Sequence, residues 1–196
     1  VFTAEGPNEL DASIMDGRDR GAGAVAGVTT VRNPVEAARA VMERSRHVLL
    51  AGRGAEQFAR EQGLAMVDPT YFRTPERWEQ WQREKERERE PAGHDKLGTV
   101  GAVALDQAGN LAAATSTGGI AGKRFGRIGD SPLVGAGTWA ENESVAVSTT
   151  GTGEMFIRGA TAHDIAALVK YRGLAPQRAA DEALGKVAAL GGRGGA

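Results

Sequence analysis

The chain has 196 residues, with 24 Lys and Arg against 25 Asp and Glu, 28 glycines and no cysteine. That length suffices for one globular domain with a sizeable core, while a net charge of −1 gives no field favouring nucleic acid or an anionic membrane. The lack of cysteine excludes a disulfide framework, a thiolate nucleophile and a Cys-ligated zinc site.

In chain order, residues 9–15 and 23–31 read as strands. Asn33 and Pro34 open a helix as N-cap and first-turn residue, and Val35, Ala38, Val41 and Met42 continue at helical spacing to Arg44. Residues 47–51 form a short apolar run, expected as a buried strand. A second helix spans 54–62 and is closed by Gly63. A third spans 74–89, with Trp78 and Trp81 on one face as packing anchors. Its end merges into alternating charges, Arg83-Glu84-Lys85-Glu86-Arg87-Glu88-Arg89-Glu90, then Pro91-Ala92-Gly93-His94-Asp95-Lys96-Leu97-Gly98. With no apolar stripe and two breakers, 83–98 reads as a solvated tail and flexible linker.

The second half opens on a hairpin, 99–105 and 111–117, joined by Asp106-Gln107-Ala108-Gly109-Asn110. A strand at 145–150 and helices at 155–171 and 176–190 complete the reading. The class is α+β, with helices covering sheet layers. Residues 1–98 and 99–196 form one domain in two unlike parts: the first holds 32 of 49 charged side chains, the second 18 of 28 glycines.

Threonines carry the chemistry. Thr99 follows the linker and opens an apolar strand. Thr115 and Thr117, two apart on a strand, point to one face, and Thr149, Thr150 and Thr152 lie in a Gly-rich segment. A threonine hydroxyl needs a base to act as nucleophile. Cleavage of the Gly98–Thr99 bond would create one: an α-amine, with an ordinary pKa near 7.7–8.0, is partly neutral at working pH. The bland alternative is a Gly-Thr pair at a strand start, with Thr115 and Thr117 as ordinary β-branched strand residues.

Gly98-Thr99-Val100-Gly101-Ala102-Val103-Ala104-Leu105-Asp106 resembles the processing site of the plant-type asparaginase/isoaspartyl peptidase family of N-terminal nucleophile hydrolases. The resemblance continues through Thr115-Ser116-Thr117-Gly118-Gly119, Gly126-Arg127-Ile128-Gly129-Asp130-Ser131-Pro132 and Thr150-Gly151-Thr152-Gly153-Glu154. Upstream it includes Glu9 to Gly17 and Gly23 to Val28, and it fails only over the linker, about 75–96. It implies a four-layer αββα sandwich, incomplete in this chain. Self-cleavage between Gly98 and Thr99 would make an α part, 1–98, and a β part, 99–196. Thr99 would be the nucleophile and Thr117 would orient it, while the Thr150 hydroxyl and the Gly151 N–H would hold the oxyanion. Arg127 would grip the substrate α-carboxylate and Asp130 the α-ammonium. Substrates would be L-asparagine and β-aspartyl (isoaspartyl) dipeptides, no cofactor would be needed for catalysis, and the complete enzyme would be an (αβ)₂ dimer.

Residue chemistry agrees, since a guanidinium forks onto a carboxylate and Gly-flanked backbone can approach an oxyanion. Arg127 and Asp130 nevertheless also fit a surface ion pair. His47, His94 and His163 lack metal-ligand spacing. Gly151-Thr152-Gly153 completes no nucleotide motif, and Asp11 and Asp16 read as turn or capping groups. No membrane span or signal-like start is seen, which favours a cytoplasmic location. The opening on Val1 and the close on Gly191-Gly192-Arg193-Gly194-Gly195-Ala196 read as cut ends. Against the family pattern, the initial strands and the sodium-binding loop are not in this chain. Two other functions stay open: a relative acting on glycosylated asparagine or a protein substrate, and an inactive interaction or structural fragment.

Overall fold

The computed structural model describes residues 1–86 and 98–196. Residues 87–97, which hold the end of the helix predicted over 74–89, most of the tail and linker predicted over 83–98, and His94, lie outside the described residues.

Strands β1 (Leu10–Asp16) and β2 (Ala22–Val28) are antiparallel. Helix α1 (Pro34–Arg44) starts as predicted: the Asn33 side chain accepts from the N–H groups of Val35 and Glu36 at 3.1 and 3.4 Å. It crosses β2 at Gly23, where a Cβ would meet the Ala38 carbonyl and the Met42 backbone. Glycine is therefore the residue that lets helix and strand touch there.

The run expected as a buried strand becomes β3 (Leu49–Ala51), parallel to β2 at the sheet edge. Leu49 is 41% exposed, so its apolar sequence marks an edge rather than a core. Helix α2 (Gly52–Glu61) follows directly. A 3₁₀ turn (Pro69–Phe72) leads to α3 (Pro75–Glu86). Trp78 and Trp81 do anchor α3, stacking 4.8 Å apart and both meeting Phe2.

The hairpin is β4 (Thr99–Leu105) and β5 (Leu111–Thr117), with the predicted bounds. β5 also pairs with β1, giving the order β3-β2-β1-β5-β4. Two faces result from the pleat. Leu10, Ala12 and Ile14 pack with α1 and α2, while Met15 and Ala113 pack with the two-stranded ribbon β6 (Thr138–Ala140) and β7 (Ala146–Ser148). Val147 of β7 in turn joins a core with helices α5 (Thr161–Arg172) and α6 (Pro176–Ala189). β4 ends the sheet, with Val100 and Leu105 exposed.

The strand expected at 145–150 is two strands, because Thr149 separates β7 from β8 (Thr150–Gly151). The helix expected at 155–171 is also two, α4 (Gly153–Gly159) and α5. Ala160 between them has φ 45°, a left-handed conformation that ends one helix and starts the next. The glycine-rich terminus supplies β9 (Gly194–Gly195), antiparallel to β8. Among the described residues, no helix is long and apolar enough to cross a membrane.

Candidate active site

Register brings three polar residues into one row. Thr99 of β4 stands opposite Thr117 of β5, and Thr117 stands opposite Asp11 of β1. Directly opposed residues share a face, so the three side chains line up on the side facing β6 and β7. Thr99 Oγ1 donates to Thr117 Oγ1 at 3.0 Å. Thr117 Oγ1 also accepts the Gly119 N–H at 2.9 Å, and this oxygen collects two donors. The structure thus brings Thr99 and Thr117 into hydrogen-bond contact.

The next row toward the hairpin turn is Ser13, Thr115 and Gly101. It roots a buried set of hydroxyls. Ser13 Oγ lies 2.6 Å from the Ser131 carbonyl and 2.7 Å from Thr138 Oγ1, its single proton shared between the two, and Thr138 Oγ1 donates to Thr115 Oγ1 (2.6 Å). Thr115 Oγ1 donates to the Gly137 carbonyl at 2.9 Å and lies 2.7 Å from Ser148 Oγ. Any Cβ on Gly101 would fall on the Ser148 hydroxyl, so glycine there allows β4 to close over β7.

Ser148 leads into Thr149, Thr150 and Gly151. Thr150 and Thr99 line one cavity of about 540 Å³, together with Gly101 and Ser148. The Thr150 hydroxyl is buried with no hydrogen-bond partner among the described residues, a costly state for a donor. Gly151 is held tightly, since a Cβ would strike the Phe156 ring and the Arg193 carbonyl and lie 2.8 Å from Gly194 Cα.

Arg127 and Asp130 converge elsewhere, on Gly153, whose Cβ position lies 2.7 Å from Arg127 Nη2 and 3.0 Å from Asp130 Oδ1. Asp130 is buried and accepts from Thr149 Oγ1 at 3.3 Å, which couples it to the residue before Thr150. Burial lifts its carboxyl above the usual range, against its own backbone N–H, the Thr149 hydroxyl and Arg127. The Arg127 fork holds the carboxylate of Glu154 at 2.8 and 2.9 Å. An α-carboxylate is therefore the kind of group this fork accepts.

Several residues join the site that sequence reasoning passed over. Glu154 closes the Thr150–Glu154 motif and Thr149 lies in the Gly-rich segment before it, and the sequence alone assigns neither a role. Asp11 is no turn residue: it lies inside β1, fully buried, where its Oδ1 accepts the Gly27 N–H at 2.7 Å. Lys123 gave no sequence signal, since an isolated lysine reads as solvated. Asp16, by contrast, accepts the Arg18 N–H at 3.0 Å in an exposed turn, as read. His163 lies edge-on to Trp139 at 4.7 Å, a packing contact. No group of three or more His, Asp or Glu among the described residues is arranged to hold a metal ion.

Threonine hydroxyls thus meet at the mouth of one cavity, and comparison with known proteins gives the family of the chain. A family model described as asparaginase matches residues 1–196, and the chain belongs to that family. It is 56% identical to the isoaspartyl peptidase of Salmonella typhimurium and 54% identical to that of Escherichia coli, in each case over 100% of this chain and 65% or 64% of the relative. The isoaspartyl peptidase/L-asparaginase of Homo sapiens is 43% identical over 98% of this chain and 64% of its own length. The chain thus spans just under two thirds of the length of these three relatives.

Proposed function

We propose that this protein is a self-processing threonine amidohydrolase that converts L-asparagine to L-aspartate and ammonia and hydrolyses β-aspartyl dipeptides. The observation that carries this reading is the 3.0 Å hydrogen bond from Thr99 to Thr117, formed directly after Gly98, with Thr99 lining the same cavity as Thr150, whose hydroxyl has no partner among the described residues. The names of the isoaspartyl peptidase relatives support the substrate class. In this reading the complete fold is a four-layer αββα sandwich, 1–98 and 99–196 are its two processed parts, and the mature enzyme is an (αβ)₂ dimer.

Maturation begins when Thr99 Oγ attacks the Gly98 carbonyl carbon. The C–N bond breaks as the ester forms, and the Thr99 nitrogen takes the proton. Water then splits the ester, leaving a Gly98 carboxylate and a free Thr99 α-amine. In turnover that amine accepts the hydroxyl proton as Oγ attacks the substrate side-chain carbonyl. The oxyanion is held by the Thr150 hydroxyl and the Gly151 N–H. Ammonia or the amine product leaves with the proton, and water, deprotonated by the same amine, releases aspartate and restores Thr99.

Arg127 and Asp130 grip the substrate's α-carboxylate and α-ammonium, with the substrate displacing Glu154 from the Arg127 fork. Asp130 must be ionised to hold an ammonium. Because burial raises its pKa, falling pH protonates it where an exposed aspartate would still be charged. KM for asparagine is therefore expected to rise toward acid pH. In Asp130→Asn, KM should be high throughout and lose this dependence, as a KM–pH series would record.

Denaturing electrophoresis and mass spectrometry of the full chain test the maturation step. The expected result is a new amino terminus at Thr99. A chain that stays whole yet hydrolyses asparagine overturns the reading. Parallel assays with asparagine, a β-aspartyl dipeptide and glycosyl-asparagine identify the substrate.

A further inference from the structure

Among the described residues, Lys123 is a buried cation that the proposed reaction leaves unused. Lys123 is 3% exposed as a residue, and its side chain is only 1% exposed. Its ammonium lies 3.2 Å from Glu9 Oε2 and 3.7 Å from Asp11 Oδ2, at the start of β1. Asp11 is the β1 member of the row that continues through Thr117 to Thr99.

The aliphatic stem of Lys123 passes under the turn that follows β5. Gly119 has φ 80°, and its Cβ position lies 3.2 Å from Lys123 Cδ and 3.4 Å from Nζ. A Cβ at 119 would press on the lysine stem, which would have to give by a few tenths of an ångström, and the positive φ independently favours glycine there. The same Gly119 supplies the N–H that reaches Thr117 Oγ1 at 2.9 Å. The Lys123 backbone is fixed as well, its carbonyl accepting the Ala4 N–H at 2.9 Å.

We propose that Lys123 is a positioning residue for the Thr99–Thr117 pair, clamping the Gly118–Gly119 turn against Asp11 and Glu9 so that the Gly119 N–H stays on Thr117 Oγ1. A buried charge is costly unless paired, and an apolar side chain of similar length would fill the space without that cost. The charge is accounted for by the direction it imposes: it ties the turn after β5 to the β1 residue opposite Thr117. With the Gly119 N–H and the Thr99 O–H both directed at the Thr117 oxygen, the hydroxyl of Thr117 is left with one free direction for its own proton.

This inference rests on the reading of Thr99 as nucleophile, and the test separates the two. Self-cleavage, kcat and KM for asparagine and thermal midpoint are measured on the full chain for wild type, Thr99→Ala, Lys123→Arg, Lys123→Met and Lys123→Met with Asp11→Asn. Lys123→Met should slow maturation and lower kcat by about 10- to 100-fold, as small misplacements of reacting groups do, with KM within about twofold. Its thermal midpoint should fall because Asp11 and Glu9 lose their cation. Lys123→Arg should recover part of kcat. The double variant should recover the midpoint, since the buried carboxylate is gone, without recovering kcat. Wild-type kcat in Lys123→Met, a change confined to KM, or recovery of kcat together with the midpoint in the double variant overturns the inference. Turnover by Thr99→Ala would instead overturn the nucleophile reading itself.

Discussion

Thr99→Ala is expected to leave the full chain as a single polypeptide and to abolish asparagine hydrolysis, a loss of at least about 10⁴-fold in kcat. Two functions vanish with one oxygen. In the proposed mechanism, maturation needs the hydroxyl to attack the Gly98 carbonyl, and turnover needs it to attack the substrate amide. Thr99→Ser retains the oxygen but not the methyl group that restricts χ1. The variant should therefore mature and turn over more slowly rather than not at all. Electrophoresis reads the first function and ammonia release the second. The stability of the Ala variant should change little, because Thr99 sits on an edge strand and is only partly buried. An unfolded Thr99→Ala would therefore point to a structural role for the hydroxyl.

Gly151→Ala should lower kcat by about 10²–10³-fold, the usual effect of losing one oxyanion donor. The cause is steric. The new methyl would press on the Phe156 ring, the Arg193 carbonyl and Gly194, and β8 would have to move relative to Thr99. Overpacking of this kind also costs about 1–3 kcal/mol of stability, so a fall in thermal midpoint should accompany the fall in kcat. KM should change less than kcat, because Arg127 and Asp130 converge on Gly153, whereas Gly151 is packed by Phe156, Arg193 and Gly194. Full activity with a shifted midpoint would remove the Gly151 N–H from the mechanism.

Much of this architecture was legible in the chain because local chemistry and tertiary structure agree. Asn33 and Pro34 fix the start of α1 by capping, and the β4–β5 hairpin follows from two apolar runs around Asp106 to Asn110. The alternation Thr115, Thr117 also places both on one face, as found. The misreadings fall where context overrides local signal. Ala160 adopts a left-handed conformation that no residue preference announces, so α4 and α5 read as one helix. Residues 49–51 are apolar yet lie on a sheet edge. Asp11 and Lys123 are charged yet buried, because each answers the other from a distant part of the chain. For the site, motif order indicated the threonines, but only the strand register shows which of them touch.

The buried hydroxyls beneath the hairpin also decide how protons can travel. Thr115 has one proton, committed to the Gly137 carbonyl, so both Thr138 and Ser148 must send theirs to the Thr115 oxygen. The two arms point inward at a common sink instead of head to tail. With protons held in that order the array offers no head-to-tail relay and braces the layers, so in the proposed reaction the acid–base steps fall to groups at Thr99.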